Sequence, residues 1–180
     1  YAPRRGMVYL KGDTNQTSKL FFPSYKNLVS INASDGTYNK KFGNNGKVKL
    51  KNPSITAPAI FKDNLIITTS KPSIEVYDLF SGKLKWKFIL MKEQKNRNGG
   101  KRYDYSGGNP WGGFSLDEAR GIAYVTTGNA GRYFNGVNRP GKNEYANSII
   151  AIDINNRKKL WNFQEVWHDI WNLDIPAPPI

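Results

Sequence analysis

The amino-acid sequence predicts an all-β chain, a β-propeller fragment of about three four-stranded antiparallel blades. Three observations carry this. Short apolar-alternating runs separated by turn residues recur along all 180 residues, the pattern of strands that bury one face. No long window keeps the i, i+3, i+4, i+7 apolar spacing of a helix. A hairpin unit recurs three times, and internal repeats of this period mark propellers and related arrays.

Segments Leu28 to Phe42 (LVSINASDGTYNKKF), Ile74 to Phe88 (IEVYDLFSGKLKWKF) and Ile149 to Phe163 (IIAIDINNRKKLWNF) align. Each reads as an alternating strand, a polar residue, a tight turn and a second strand bearing an aromatic. Asp78 precedes Trp86 by eight residues, and Asp153 precedes Trp161 by the same spacing. The first unit is looser, with Asn32 at the Asp position, Gly36 in the turn and Phe42 as the aromatic. Asp or Asn caps such a turn through its side chain, Gly supplies positive φ, and the aromatic is expected to pack between neighbouring units.

Two further strands are expected ahead of each hairpin: Gly6 to Leu10 and Leu20 to Pro23, then Thr56 to Phe61 and Leu65 to Thr69, then Trp111 to Leu116 and Ile122 to Thr127. Four antiparallel strands make one blade. The expected blades span about 5–45, 54–90 and 109–165, with the start of a further blade at 168–180. Asn32 and Asp78 lie 46 residues apart, a normal blade period, whereas Asp78 and Asp153 lie 75 apart because of loops Met91 to Pro110 and Ala130 to Ala146. Surplus loops on a regular scaffold are where function concentrates. Three blades cannot close a ring and leave open edges, so the chain is expected to belong with further blades or an oligomer partner. A β-sandwich and an open meander are the competing folds.

Composition narrows the chemistry. Hydrophobic residues are 38% and aromatics 13%, enough for a packed core. No run approaches the roughly 20 apolar residues of a spanning helix. The chain starts at Tyr1 without a basic-then-apolar leader, which reads as a processed protein or a piece of a longer one. Cysteine is absent, so disulfides and thiolate metal sites are excluded, and any metal is held by oxygen or by His168, which favours a hard cation. The net charge is +13. Its densest run, Lys92 to Arg102 (KEQKNRNGGKR), contains two glycines and no strand or helix period, and reads as a solvated loop. No nucleic-acid-binding motif accompanies it, so nucleic acid is not expected as a partner. A polyanion binder using this loop is the weakest of the functional readings.

The repeat, together with Arg4-Arg5-Gly6-Met7-Val8-Tyr9, Ile55-Thr56-Ala57-Pro58-Ala59, Asn109-Pro110-Trp111-Gly112-Gly113, Thr127-Gly128-Asn129 and the tail HDIWNLDIPAPP from His168, resembles the pyrroloquinoline-quinone (PQQ) dehydrogenases. The resemblance is strongest to their glucose and alcohol dehydrogenase-like branch and covers nearly the whole chain. It implies an eight-bladed propeller, PQQ and Ca2+ as cofactors, a periplasmic location, a sugar, polyol or alcohol substrate, and a quinone or cytochrome electron acceptor. It also admits membrane association through regions outside these 180 residues.

The resemblance assigns roles to matching positions. Arg5 would pair with a carboxylate of the cofactor, which suits a planar, permanently charged guanidinium. Thr56 and Ser70 fall where hydroxyls bond the cofactor. Trp111 would stack beneath the quinone, and Asn129 would bind the calcium through its amide oxygen. Each has a plain structural alternative: a surface arginine, strand polarity, a core tryptophan and a turn asparagine.

Two departures stand out. The loop Ser70 to Ser73 is short where the family often carries a glutamate ligand, and Glu75 nearby reads as part of the next strand. At the catalytic base of the tail motif this chain has Asn172, and an amide cannot accept a proton at neutral pH. Asp174 is the possible substitute. If the tail is extended, it shares a face with Asn172. Asp169 is expected to fix the turn and His168 to hydrogen-bond locally. The leading expectation is a PQQ-dependent dehydrogenase acting on CH–OH donors, incomplete in these residues. The alternative is a non-catalytic propeller that binds proteins in the bacterial envelope.

Overall fold

Three four-stranded antiparallel sheets account for the regular structure of the described residues. A computed structural model describes residues 5–14, 16–91, 107–131, 134–137 and 139–180, and among them no helix occurs. The first sheet holds β1 (Val8–Leu10), β2 (Lys19–Ser24), β3 (Asn27–Asn32) and β4 (Lys47–Lys49), in that order. The second holds β5 (Ala59–Phe61), β6 (Asn64–Thr69), β7 (Ser73–Asp78) and β8 (Leu84–Ile89). The third holds β9 (Phe114–Asp117), β10 (Ile122–Thr126), β11 (Ser148–Asp153) and β12 (Lys158–Gln164). Up-and-down order is the blade pattern the repeat predicts. The basic run Lys92 to Arg102 lies outside the described residues.

Expectation and structure part at the first repeat. The first repeat places its last strand before Phe42, but β4 is Lys47–Lys49, and Tyr38 makes only an isolated bridge to Ile31. The reason is Phe42 itself, which is fully buried with its ring edge-on to Phe21 at 5.4 Å. A residue so placed plugs the core instead of lining a strand face. Trp161 leans on Tyr124 of the same sheet, ring centroids 5.8 Å apart, and is 48% exposed. Residues 168–180, expected to start another blade, hold no strand.

The chain divides into two compact units, Tyr1–Thr69 with Ile74–Lys87, and Ser70–Ser73 with Phe88–Ile180. In the first unit the core gathers Phe21, Leu28, Phe42, Leu50, Leu65, Ile67, Tyr77 and Leu79. Burying each such side chain contributes about 1.5–3 kcal/mol. Glu75 belongs to β7 as its strand reading requires, and is buried with the Tyr77 hydroxyl donating to it at 2.5 Å. Burial and that bond push the Tyr77 hydroxyl well above its ordinary range. In the second unit, β10 and β11 are the central strands, and Val125, Ile150, Ala151 and Ile152 are fully buried.

The hairpin turns share one device. Asp78 Oδ1 accepts from the Ser81 backbone N–H at 2.8 Å, and Asp153 Oδ1 from that of Asn156 at 2.9 Å. The residue four beyond the cap turns left-handed each time: Gly36 at φ 72°, Gly82 at φ 71° and Arg157 at φ 58°. In the first unit the cap moves, because Asn32 Oδ1 accepts from Lys19 and Asp35 takes the Thr37 N–H instead.

Candidate functional site

The second unit brings the Asn-Pro-Trp-Gly-Gly and Thr-Gly-Asn segments into one cluster by backbone pairing. Gly108 N–H donates to Asn129 O at 2.6 Å, and Gly128 N–H to Asn109 O at 3.0 Å. The chain then turns at Pro110 to Gly113, closed by Gly113 N–H to Pro110 O at 3.2 Å, with Gly113 at φ 98°. Only glycine takes that conformation without strain. Trp111 therefore sits on a tight turn at the head of β9, half-buried.

The tail crosses this cluster. A Cβ on Gly112 would meet Ile175 O at 2.7 Å, and a Cβ on Gly128 would meet Asp174 Oδ1 at 2.5 Å and the Trp111 Nε1 at 2.9 Å. The two glycines are thus the floor on which the tail lies. Asp174 Oδ1 accepts the Asn129 backbone N–H at 2.5 Å. Further along, Ser115 Oγ donates to Pro179 O. Trp111, Asn129 and Asp174 are therefore neighbours.

Asn172 is exposed at φ 60°, so the tail is not extended and the rule that residues two apart share a face does not apply. Asp174, by contrast, is half-buried. The turn is fixed by Asp169, as its position suggests: Oδ1 accepts Trp171 N–H at 2.7 Å and Oδ2 accepts Leu173 N–H at 2.7 Å. His168 bonds not a near neighbour but Gly141 O, 27 residues back, at 2.8 Å.

Arg5 and Thr56 belong to the first unit. Arg5 is exposed, and its backbone N–H donates to Ile55 O at 2.9 Å. Gly6, at φ 84°, lets this stretch approach so closely that an added Cβ would sit 2.9 Å from the Ala57 Cβ. The two motif segments are therefore side by side. The Thr56 hydroxyl is buried against that of Thr68 at 2.7 Å. Ser70 is half-buried in the turn after β6.

Sequence reasoning missed Arg139, Asn143 and Asn147, all buried within the surplus loop 130–146 or just after it. Arg139 Nη1 donates to Asn143 Oδ1 at 2.6 Å, and Nη2 to Asp169 O. Burial draws the guanidinium below its ordinary value while the Asp169 charge pushes back. Their only signal was the position of the loop itself.

The family described as PQQ: Glucose/ethanol/alcohol dehydrogenase, beta-propeller domain matches residues 1–180. The chain belongs to this family. The quinoprotein glucose dehydrogenase A of Acinetobacter calcoaceticus is 31% identical, over 89% of this chain and 23% of that protein. The glycerol dehydrogenase large subunit of Gluconobacter oxydans (strain 621H) is 28% identical, over 82% and 23%. The chain thus spans about a quarter of the length of these curated relatives. Among solved structures, the quinohemoprotein alcohol dehydrogenase of Comamonas testosteroni superposes with a TM-score of 0.78 at 21% identity, over 98% of this chain and 29% of that one. At that identity the match speaks for the fold.

The cluster fits the groups such proteins use. Its donors are hard oxygens, a carboxylate and asparagine amides, which suit calcium. Asn109 Oδ1 and Asn147 Oδ1 are buried without a hydrogen-bond partner among the described residues. Their backbones bond Gly128 from either side, Asn147 N–H reaching Gly128 O at 3.0 Å. Both Asn147 amide protons are already committed, to Asp169 Oδ2 and Leu173 O, so its oxygen is the group left over. Buried acceptors of this kind call for a cation or donor. Among the described residues no group of three or more His, Cys, Asp or Glu could hold a metal, so amide oxygens would have to share the task.

Proposed function

We propose that this chain supplies part of the active site of a PQQ-dependent dehydrogenase that oxidises a sugar, polyol or alcohol hydroxyl. One observation carries the reading: the Asp174 carboxylate rests on the Asn129 N–H beside the Trp111 indole, over a glycine whose smallness leaves room for all three. When bound, the quinone would supply the two-electron acceptor for hydride and calcium would supply a Lewis acid.

This chain's residues would divide the remaining work. Trp111 offers its indole face to the flat heteroaromatic. Arg5 would pair with a cofactor carboxylate, and the hydroxyls of Thr56 and Ser70 would hydrogen-bond it. Asn129 would hold the calcium through its amide oxygen. Asp174 takes the substrate's hydroxyl proton on Oδ2, because Oδ1 is engaged by the Asn129 N–H. Asn172 has no basic lone pair to offer at neutral pH, and its exposure agrees with the shift of role to Asp174. A quinone or cytochrome in the periplasm would be the final electron acceptor.

The test is reconstitution of the full-length protein with PQQ and Ca2+. Bound-quinone absorbance, and dye reduction with glucose, glycerol or ethanol, are the expected results. No quinone uptake and no reduction with any CH–OH donor would overturn the reading.

A further inference from the structure

We propose that Asp169 is a positioning residue that sets the Asn172–Asp174 stretch so that Asp174 reaches the Asn129 N–H. The inference rests on the reading of Asp174 as a site residue. Asp169 is only 2% exposed, yet its carboxylate meets three groups of remote and local origin. Oδ1 accepts Trp171 N–H; Oδ2 accepts Leu173 N–H, both at 2.7 Å, and also the Asn147 side-chain amide at 3.0 Å. Bonds to backbone groups two and four residues ahead wind the chain into a side-chain-nucleated turn. Between them Asn172 is held left-handed at φ 60°, a conformation that persists only where the surroundings over-determine it. The backbone of Asp169 is pinned as well, its carbonyl accepting from buried Arg139.

The other end of the relationship is tied to the same anchor. Asn147 gives its side-chain amide to Asp169 Oδ2 and, at 2.6 Å, to Leu173 O, and its backbone N–H to Gly128 O at 3.0 Å. One residue thus links the turn that carries Asp174 to the strand end that carries Asn129. Asp169 touches neither Asp174 nor Asn129 through any of these bonds; its effect on them runs through the turn and through Asn147.

Residue-resolved amide hydrogen exchange on the full-length protein tests this. Asp169→Asn keeps the shape of the side chain and one acceptor but removes the charge and an acceptor. The expected result is exchange at the Asn129 N–H at least tenfold faster than wild type, approaching that of Asp174→Ala. In the reconstituted enzyme kcat should fall more than tenfold with KM changed less than threefold. Asn147→Ala should move both readouts the same way by a smaller factor, and it decides the matter if Asp169→Asn fails to fold. Wild-type protection at Asn129 in the folded variants would overturn the proposal. Absence of quinone binding by the wild-type protein would sink the site reading instead, and the exchange data would still decide the positioning role.

Discussion

The Asp174 carboxylate accepts the backbone N–H of Asn129 at 2.5 Å, joining residues 45 positions apart. The bond locates the tail's acid on the strand end that carries the proposed cation ligand. Asn172, two residues earlier in the same tail, is exposed.

Asp174→Asn should therefore lower kcat of the reconstituted full-length enzyme by about 10²–10⁴, the usual worth of a positioned general base. The amide oxygen can still accept the Asn129 N–H, so the melting temperature should move little. Asn172→Asp should raise turnover by less than about threefold. The opposite ranking, with a large gain at position 172 and no loss at 174, would return the role to the motif's usual place.

Gly128→Ala should disrupt the same cluster without changing any charge. The added methyl would stand 2.5 Å from Asp174 Oδ1 and 2.9 Å from the Trp111 Nε1. Something must yield, at about 1–3 kcal/mol. Denaturant unfolding followed by tryptophan fluorescence should show the loss. An unshifted midpoint would mean that the tail does not lie on this glycine.

Much of the fold was legible because its causes are local. The cap of Asp78, the left-handed turn at Gly82 and the apolar run of β11 each follow from a few adjacent residues. The first repeat misled because an aromatic at the expected offset, Phe42, serves the core. The candidate site was legible at Trp111 and Asn129, which stand in recognisable motifs. The course of the tail from Asn172 to Asp174 was not, because strand alternation assumes extended backbone and Asn172 is left-handed. Arg139 and Asn147 were invisible because what they do depends on bonds to Asp169, 30 and 22 residues away.

The repeated turn predicts substitutions of opposite sign at equivalent positions. Arg157 is left-handed at φ 58°, which costs a side-chain-bearing residue about 1–2 kcal/mol. Glycine removes that strain but loses about 0.5–1 kcal/mol of unfolded-state entropy, so Arg157→Gly should stabilise by about 0.5–1 kcal/mol. Gly82→Ala introduces the strain and brings a Cβ within 2.6 Å of the Val48 Cγ2. It should destabilise by at least 1–2 kcal/mol. Urea midpoints of the two variants on the same side of wild type would show that the turns are not equivalent.

Acid should loosen the second sheet through Asp63 and Asp78, which share the Lys85 ammonium at 2.5 and 3.4 Å. Burial alone would raise the Asp78 carboxyl, but bonds from Ser81 and Lys85 outweigh it and hold it below its usual value. The bond from Lys85 lowers Asp63 likewise. A carboxylate depressed in the folded state binds fewer protons there than when unfolded. Its contribution is therefore complete above the unfolded value of about 3.9 and is lost as pH falls through the lower folded one. Urea midpoints should hold steady at neutral pH and decline below about pH 4. In Asp78→Asn the midpoint should be lower at neutral pH and the acid decline shallower. A decline as steep as wild type would place the acid-sensitive contacts elsewhere.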